Sequence, residues 1–301
     1  MRPTFIISFD CEGKWGHADR LSPNIRGILR TGPLSAIFHR SVSLLDSFEL
    51  PGTFSFVGAF TLHADQYLSY IRVIRATPCA DDFFADVARS ELDGWFCPEM
   101  LAEVPVGGRH ELASHSFTHL QFDEVPAEAA ELELAASVAL AQSQGWSPKS
   151  FIFPKNRAGH LDLLARHGFT SYRGRRNFTF GRAGSLASEF NLLERADPHP
   201  TKAGAPLEIP CGHFLNWPHG LRLAVPPDVT VKRWCHILDD AIRHNRVAHC
   251  WLQPHNLLNG RGQFELMERV LREVRIRVDA GLIEPMTQEA YARAALAELT
   301  S

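Results

Sequence analysis

No stretch of about 18 apolar residues occurs in this 301-residue chain, so the sequence offers no membrane-spanning helix. Basic charge is not in excess: 31 Lys and Arg stand against 34 Asp and Glu. The electrostatic footprint of a nucleic-acid-binding protein is therefore missing, and no nucleic-acid partner is expected. The six cysteines (Cys11, Cys79, Cys97, Cys211, Cys235 and Cys250) include no CxxC pair, which removes zinc-ribbon and thioredoxin-type readings. Their mostly apolar neighbours suit free, buried thiols in a reducing compartment. The apolar run Phe5 to Phe9 is too short for the hydrophobic region of a signal peptide, and the acidic Asp10-Cys11-Glu12 follows at once. The expected location is cytoplasmic. Internal repeats and low-complexity tracts are also lacking.

What is present is an ample core, with 45% hydrophobic residues, and an alternation of strand-like and helix-like segments. Phe5 to Phe9 reads as a buried strand. Leu34, Ile37, Phe38, Val42 and Leu45 keep helical spacing over 34–48. Strands are expected at 53–57, 110–113, 150–153, 169–172, 207–210 and 247–252, and helices at 65–76, 126–144, 161–165, 231–242 and 264–278. The aromatic, acidic stretch up to residue 100 has no clear assignment. Residues 173–206 look like a long loop or insertion in a single domain spanning 1–301 that ends in a helical tail. Repeated strand–helix units of this kind predict an α/β fold with a parallel sheet, either a barrel or a doubly wound sheet.

In such folds chemistry sits at the carboxyl ends of strands, and the polar clusters fall there. In an extended chain Asp10 and Glu12 project to one face. Two adjacent carboxylates repel unless a cation relieves them, so the pair suits a metal ligand beside a base; a solvated loop is the plain alternative. His115 and His119, four residues apart, would lie on one face of a helical turn and could bind one ion, or they are simply two polar loop histidines among 15. Lys155, Asn156 and Arg157 follow the fourth strand, and His255 and Asn256 follow the last core strand. His249, inside that strand, reads as a satisfied core histidine.

Phe9-Asp10-Cys11-Glu12-Gly13 resembles the first motif of the polysaccharide deacetylase family (the NodB-homology, or carbohydrate esterase family 4, group) in a divergent D-x-E form. His115-Ser116-Phe117-Thr118-His119 is similar to that family's second motif, H-[S/T]-x-x-H. Phe153-Pro154-Lys155-Asn156-Arg157 occupies the place of its Arg-Pro-containing third motif without matching it closely. Trp251-Leu252-Gln253-Pro254-His255-Asn256 resembles its last motif, with Gln253 where related sequences often carry histidine. The resemblance covers roughly residues 4–260.

The resemblance implies a distorted (β/α)7-type barrel, one divalent metal, usually zinc, and hydrolysis of an N-acyl, usually N-acetyl, group on a sugar. It places the metal on Glu12, His115 and His119, with Asp10 as base and His255 as acid; Asp10 on the metal with Glu12 as base is the open alternative. Arg157 could orient the base, with Lys155 competing for that role, or be a surface arginine. Trp217 could line a sugar or acyl pocket or be a core aromatic; Lys155 and Asn256 are further candidates for substrate contact. Arg173, Arg175, Arg176 and Arg182 could receive phosphates of a nucleotide- or lipid-linked amino sugar or form a solvated loop. The expected substrate is an intracellular amino sugar, nucleotide-, lipid- or glycan-linked, on the way to a surface polysaccharide. Two rival readings remain: a hydrolase of non-sugar amides or imides, and an inactive carbohydrate-binding homologue.

Overall fold

The computed structural model describes residues 1–78, 80–175, 194–216, 220–260 and 262–300. Its centre is β1 (Thr4–Cys11), whose eight residues are all buried. That burial is why Phe5, Ile6, Ile7 and Phe9 put apolar side chains on both faces rather than alternating, as expected for a parallel strand covered on both sides; the one polar residue among them, Ser8, is bonded to His249 at 2.9 Å. Around it lie β2 (Thr53–Phe56), β3 (Glu111–Ser114), β4 (Ser150–Phe151), β5 (Ser171–Arg173), β6 (Leu207–Ile209), β7 (His213–Phe214), β8 (Val247–Leu252) and β9 (Glu284–Met286). They form one curled sheet in the order β6-β5-β4-β3-β2-β1-β8-β7, with β9 also on β1. Every ladder is parallel. Among the described residues no ladder joins β6 to β7, so the sheet curls into an open, distorted barrel.

Helices cover the outside. The helix Thr31–Ser47 buries Leu34, Ile37, Phe38, Val42 and Leu45, the stripe read from the sequence. Phe38 meets the Phe54 ring edge-on, with centroids 5.1 Å apart, and Phe54 stacks on Phe9 at 4.8 Å. These ring contacts fasten the helix to β1 and β2 through the aromatic surface that dominates this core. The helix Ala127–Ser143 falls where Ala- and Glu-rich composition placed it, and Pro227–His244 and Gln263–Asp279 fall where helical spacing did. No helix among the described residues is long and apolar enough to cross a membrane.

Several details differ from the sequence reading, among them β7, which it did not expect, and the short helix Pro23–Ile28. The helix expected at 65–76 is a 3-10 turn, Tyr67–Tyr70, followed by the short helix Ile71–Ala76. The unassigned stretch holds the helices Asp81–Ala88 and Glu99–Ala102. The tail is not only the helix Gln288–Thr300, because β9 precedes it and pairs Thr4–Ile6 of β1. The five described cysteines are free, and all but Cys235 are buried.

Candidate metal and catalytic site

The parallel ladders bring the carboxyl ends of the strands to one rim. β1 runs extended through Asp10 and Cys11; the chain then leaves the sheet at Glu12 (φ −122°, ψ −16°) and enters the tight turn Gly13–His17. Gly13 takes φ +51°, and a Cβ there would lie 2.4 Å from the Phe60 ring, so only glycine suits the position. Trp15 anchors the turn: it is fully buried and its indole N–H donates to the Trp95 carbonyl at 2.9 Å. Gly16 then packs directly on Glu12, where a Cβ would come within 2.2 Å of the carboxyl carbon. The turn thus closes over the Glu12 side chain and delivers His17 beside it.

His115 and His119 do converge, but not on a helical turn. Residues 115–119 form an irregular loop after β3, with Ser116 and His119 in the left-handed region at φ +66° and +67°. Non-glycine residues adopt that region at a cost of about 1–3 kcal/mol, and such strain gathers at functional sites. The surroundings hold it in place. Buried Glu133 accepts hydrogen bonds from the Phe117 and Thr118 amides and from the Thr118 hydroxyl, and the His119 amide donates to Ser116 Oγ at 2.9 Å. His115 uses Nδ1 on the Ile152 carbonyl at 2.8 Å, which fixes its tautomer and turns Nε2 inward.

His115 Nε2 lies 3.3 Å and His119 Nε2 3.1 Å from Glu12 Oε2. Burial opposes ionisation of Glu12, but the two imidazoles outweigh it and hold the carboxyl well below its usual range. Burial lowers the His119 pKa in spite of Glu12, favouring the neutral form that binds metal. Ligand atoms of Glu12, His115 and His119 all lie within 4.8 Å of one another. Two ligands each about 2.05 Å from a tetrahedral ion stand about 3.3 Å apart. The two imidazole–carboxylate distances match that edge length, so the residues present fit a divalent cation.

Asp10 faces a different partner. Arg173, at the end of β5, donates Nη1 to Oδ1 at 2.9 Å and Nη2 to Oδ2 at 2.6 Å, a two-pronged clamp. Both side chains are almost wholly buried. Arg173 Nε donates to Asn156 Oδ1 at 3.0 Å, and the guanidinium sits over the Trp251 ring, 4.5 Å from its centroid. Ser55 Oγ is 3.3 Å from Asp10 Oδ1. The two carboxylates read from the sequence are thus separated in role by their partners, Asp10 on the Arg173 guanidinium and Glu12 on two imidazoles.

No family model matches the chain, and no curated protein matches it by sequence. Solved structures do. A Mycobacterium smegmatis protein named for the polysaccharide deacetylases superposes with a TM-score of 0.61 at 17% identity, covering 98% of this chain and 90% of that one. A Pseudomonas aeruginosa PAO1 protein so named gives 0.58 at 12% identity, covering 97% and 93%. This is the polysaccharide deacetylase fold. It spans nearly the whole chain and bears out the distorted barrel expected from the motifs.

Within the deacetylase fold the remaining expected residues fall as follows. Arg157 does not reach Asp10. It pairs with Asp123, Glu124 and Gln121 at the surface, because the chain bends after the left-handed Lys155 and Asn156 (φ +53° and +52°) and turns residue 157 away from the rim. The arginine on Asp10 is Arg173, which the sequence reading grouped with a loop. Lys155 pairs with Asp19 and lines a small cavity of about 50 Å³ beside His119. Asn256 donates to Gln253 Oε1 at 2.7 Å, and Gln253 Nε2 donates to Glu12 Oε1 at 3.0 Å. Gln253 therefore braces the carboxylate. His255 is buried, with Nε2 3.4 Å from Nε2 of His17, a residue the motifs did not single out. Burial and the neighbouring His17 push its pKa down to about 4, so the ring is neutral at pH 7. His249 is a core histidine, bonded to Ser8 Oγ at 2.9 Å and to the Pro210 carbonyl at 2.7 Å. Trp217, Arg176 and Arg182 lie outside the described residues.

Proposed function

We propose that the chain is a metal-dependent hydrolase that removes an N-acyl group, N-acetyl by first choice, from an amino sugar. The carrying observation is the meeting of Glu12, His115 and His119 at tetrahedral edge lengths on the same strand end as an arginine-clamped Asp10. Two imidazoles and one carboxylate with open positions suit zinc. A divalent cation held there would supply a Lewis acid that polarises the acyl oxygen and acidifies water. Asp10 would take a proton from the attacking water, with Arg173 fixing the direction of its oxygens. The leaving amine then needs a proton. Two groups can bring it: Asp10, returning the proton it took, or His255, which is neutral at pH 7 and would first have to accept a proton, a step that the charges of Glu12 and Asp10 favour. Lys155, beside the cavity at His119, and Asn256 would contact the sugar or its carrier; a nucleotide-, lipid- or glycan-linked amino sugar is the substrate class to test.

The test is release of acetate or formate from a panel of N-acylated amino sugars, with metal content measured on the same protein. Activity that falls to background in Asp10→Asn, and about one equivalent of metal lost in His115→Ala, are the expected results. A metal-loaded protein that releases no acyl group from any member of the panel would refute the hydrolase reading and leave only the metal site.

A further inference from the structure

Glu12 meets not two imidazoles but four. Besides His115 and His119, ligand atoms of His17 and His255 lie within 4.8 Å of one another and of a Glu12 oxygen. The two histidine pairs have nearly the same shape. The rings of His115 and His119 are 4.9 Å apart at 73°, and those of His17 and His255 are 5.1 Å apart at 72°. The His17 and His255 Nε2 atoms face each other at 3.4 Å, which is again the edge of a tetrahedron about an ion with bonds of about 2.05 Å.

We propose that Glu12, His17 and His255 form a second divalent-cation site that shares the Glu12 carboxylate with the His115–His119 site. A carboxylate has about four lone-pair positions. His115 and His119 both address Oε2, while Oε1 takes one hydrogen bond from Gln253, so a lone pair on Oε1 is left for a second ion. The construction of the turn supports this role. Gly16 allows the backbone to approach Glu12 more closely than any side chain would permit, and that approach sets His17 against His255. One carboxylate shared between two dications offers little negative charge, so the second ion binds more weakly than the first. With His255 on that ion, Asp10 is the group that carries the proton to the leaving amine, and this part rests on the proposed hydrolase reading.

The test is calorimetric titration of the metal-stripped full chain with zinc chloride, beside His17→Ala and His255→Asn, each first checked for folding by circular dichroism. His17 is only partly buried in a surface turn, so its replacement leaves the core intact. The wild type should bind two equivalents, the second at least tenfold weaker, and each variant should lose only the weaker one. One equivalent that both variants retain would overturn the second site and leave the first standing. A single equivalent lost in His17→Ala would mean one ion straddling both pairs, which also overturns the proposal. No equivalent at all would sink both sites together.

Discussion

Replacing Arg173 with Met is the sharpest test of how the site is held. The arginine is about 1% exposed at its side chain, Asp10 about 4%, and the two are joined by two hydrogen bonds of 2.9 and 2.6 Å. Removing one partner of a buried pair strands the other charge, at a cost of about 3–5 kcal/mol. Among the described residues the stranded carboxylate would keep only the Ser55 hydroxyl at 3.3 Å, which argues for the upper part of that range. Asp10→Asn should be costly in its turn, because the guanidinium is then buried without a counter-charge. The double variant removes both charges, and its loss should fall short of the sum of the single losses by about 2 kcal/mol or more. Urea unfolding at pH 7, followed by tryptophan fluorescence, measures all three. Arg173→Lys is the control: it keeps the charge but cannot form the fork and cannot also reach Asn156, so it should recover only part of the stability. Additive losses, or a cost below about 1 kcal/mol for Arg173→Met, would show that the pair is not what orients Asp10.

Gly16→Ala should displace Glu12, since the new Cβ would come within 2.2 Å of its carboxyl carbon. Zinc affinity measured by chelator competition should fall about 10–100-fold while the melting temperature changes little; unchanged affinity would refute the close packing. Glu133→Ala removes the acceptor of two amides and a hydroxyl in the 115–119 loop, so stability in urea should drop by about 3 kcal/mol and zinc binding should weaken with it. Burial, outweighing the Ser150 and Thr53 hydroxyls and the Glu289 amide, pushes the Glu111 carboxyl from 4.5 up to about 7. The folded state therefore holds that proton more tightly than the unfolded chain. The stabilising effect of that tighter hold is complete below pH 4.5 and is lost as pH rises through 7, about 3 kcal/mol in all. Glu111→Gln should thus be more stable than wild type at pH 8 and lose that advantage by pH 5; a difference independent of pH would contradict the raised pKa.

How much of this was legible follows from what each feature depends on. β1 and its acidic end were readable because an apolar run closed by Asp10-Cys11-Glu12 is a local pattern. The His115–His119 spacing was readable too, but not its conformation. A four-residue interval suggested a helical turn, whereas the loop bends through two left-handed residues held by Glu133, supplied from the helix Ala127–Ser143. Nothing between 115 and 119 encodes that support. Arg173 was hidden by company: arginines at 173, 175, 176 and 182 read as one basic loop, although the first ends β5 and is buried. The strand-end rule that selected Asp10 and His115 would have selected it as well, had β5 been carried one residue further.

His17 gave less warning still, because its role depends on Gly16 yielding space to Glu12, a contact between side chain and backbone that no residue pattern announces. What makes these distant pieces meet is the strand order. β1 sits between β2 and β8, with β3 one strand beyond. The loop after β8 is therefore next to Glu12 on one side, and the loop after β3 reaches it across the short end of β2 on the other. Parallel strands joined by helices can be laid down on either flank of the first one, and the sequence does not choose between them. Only when β8 takes the flank opposite β2 do histidines from residues 115–119 and residue 255 approach the same carboxylate from two directions. If β8 instead lay beyond β3, His255 would face the His115 loop from the far side, and Glu12 would keep three imidazoles rather than four, with His17 left without its partner.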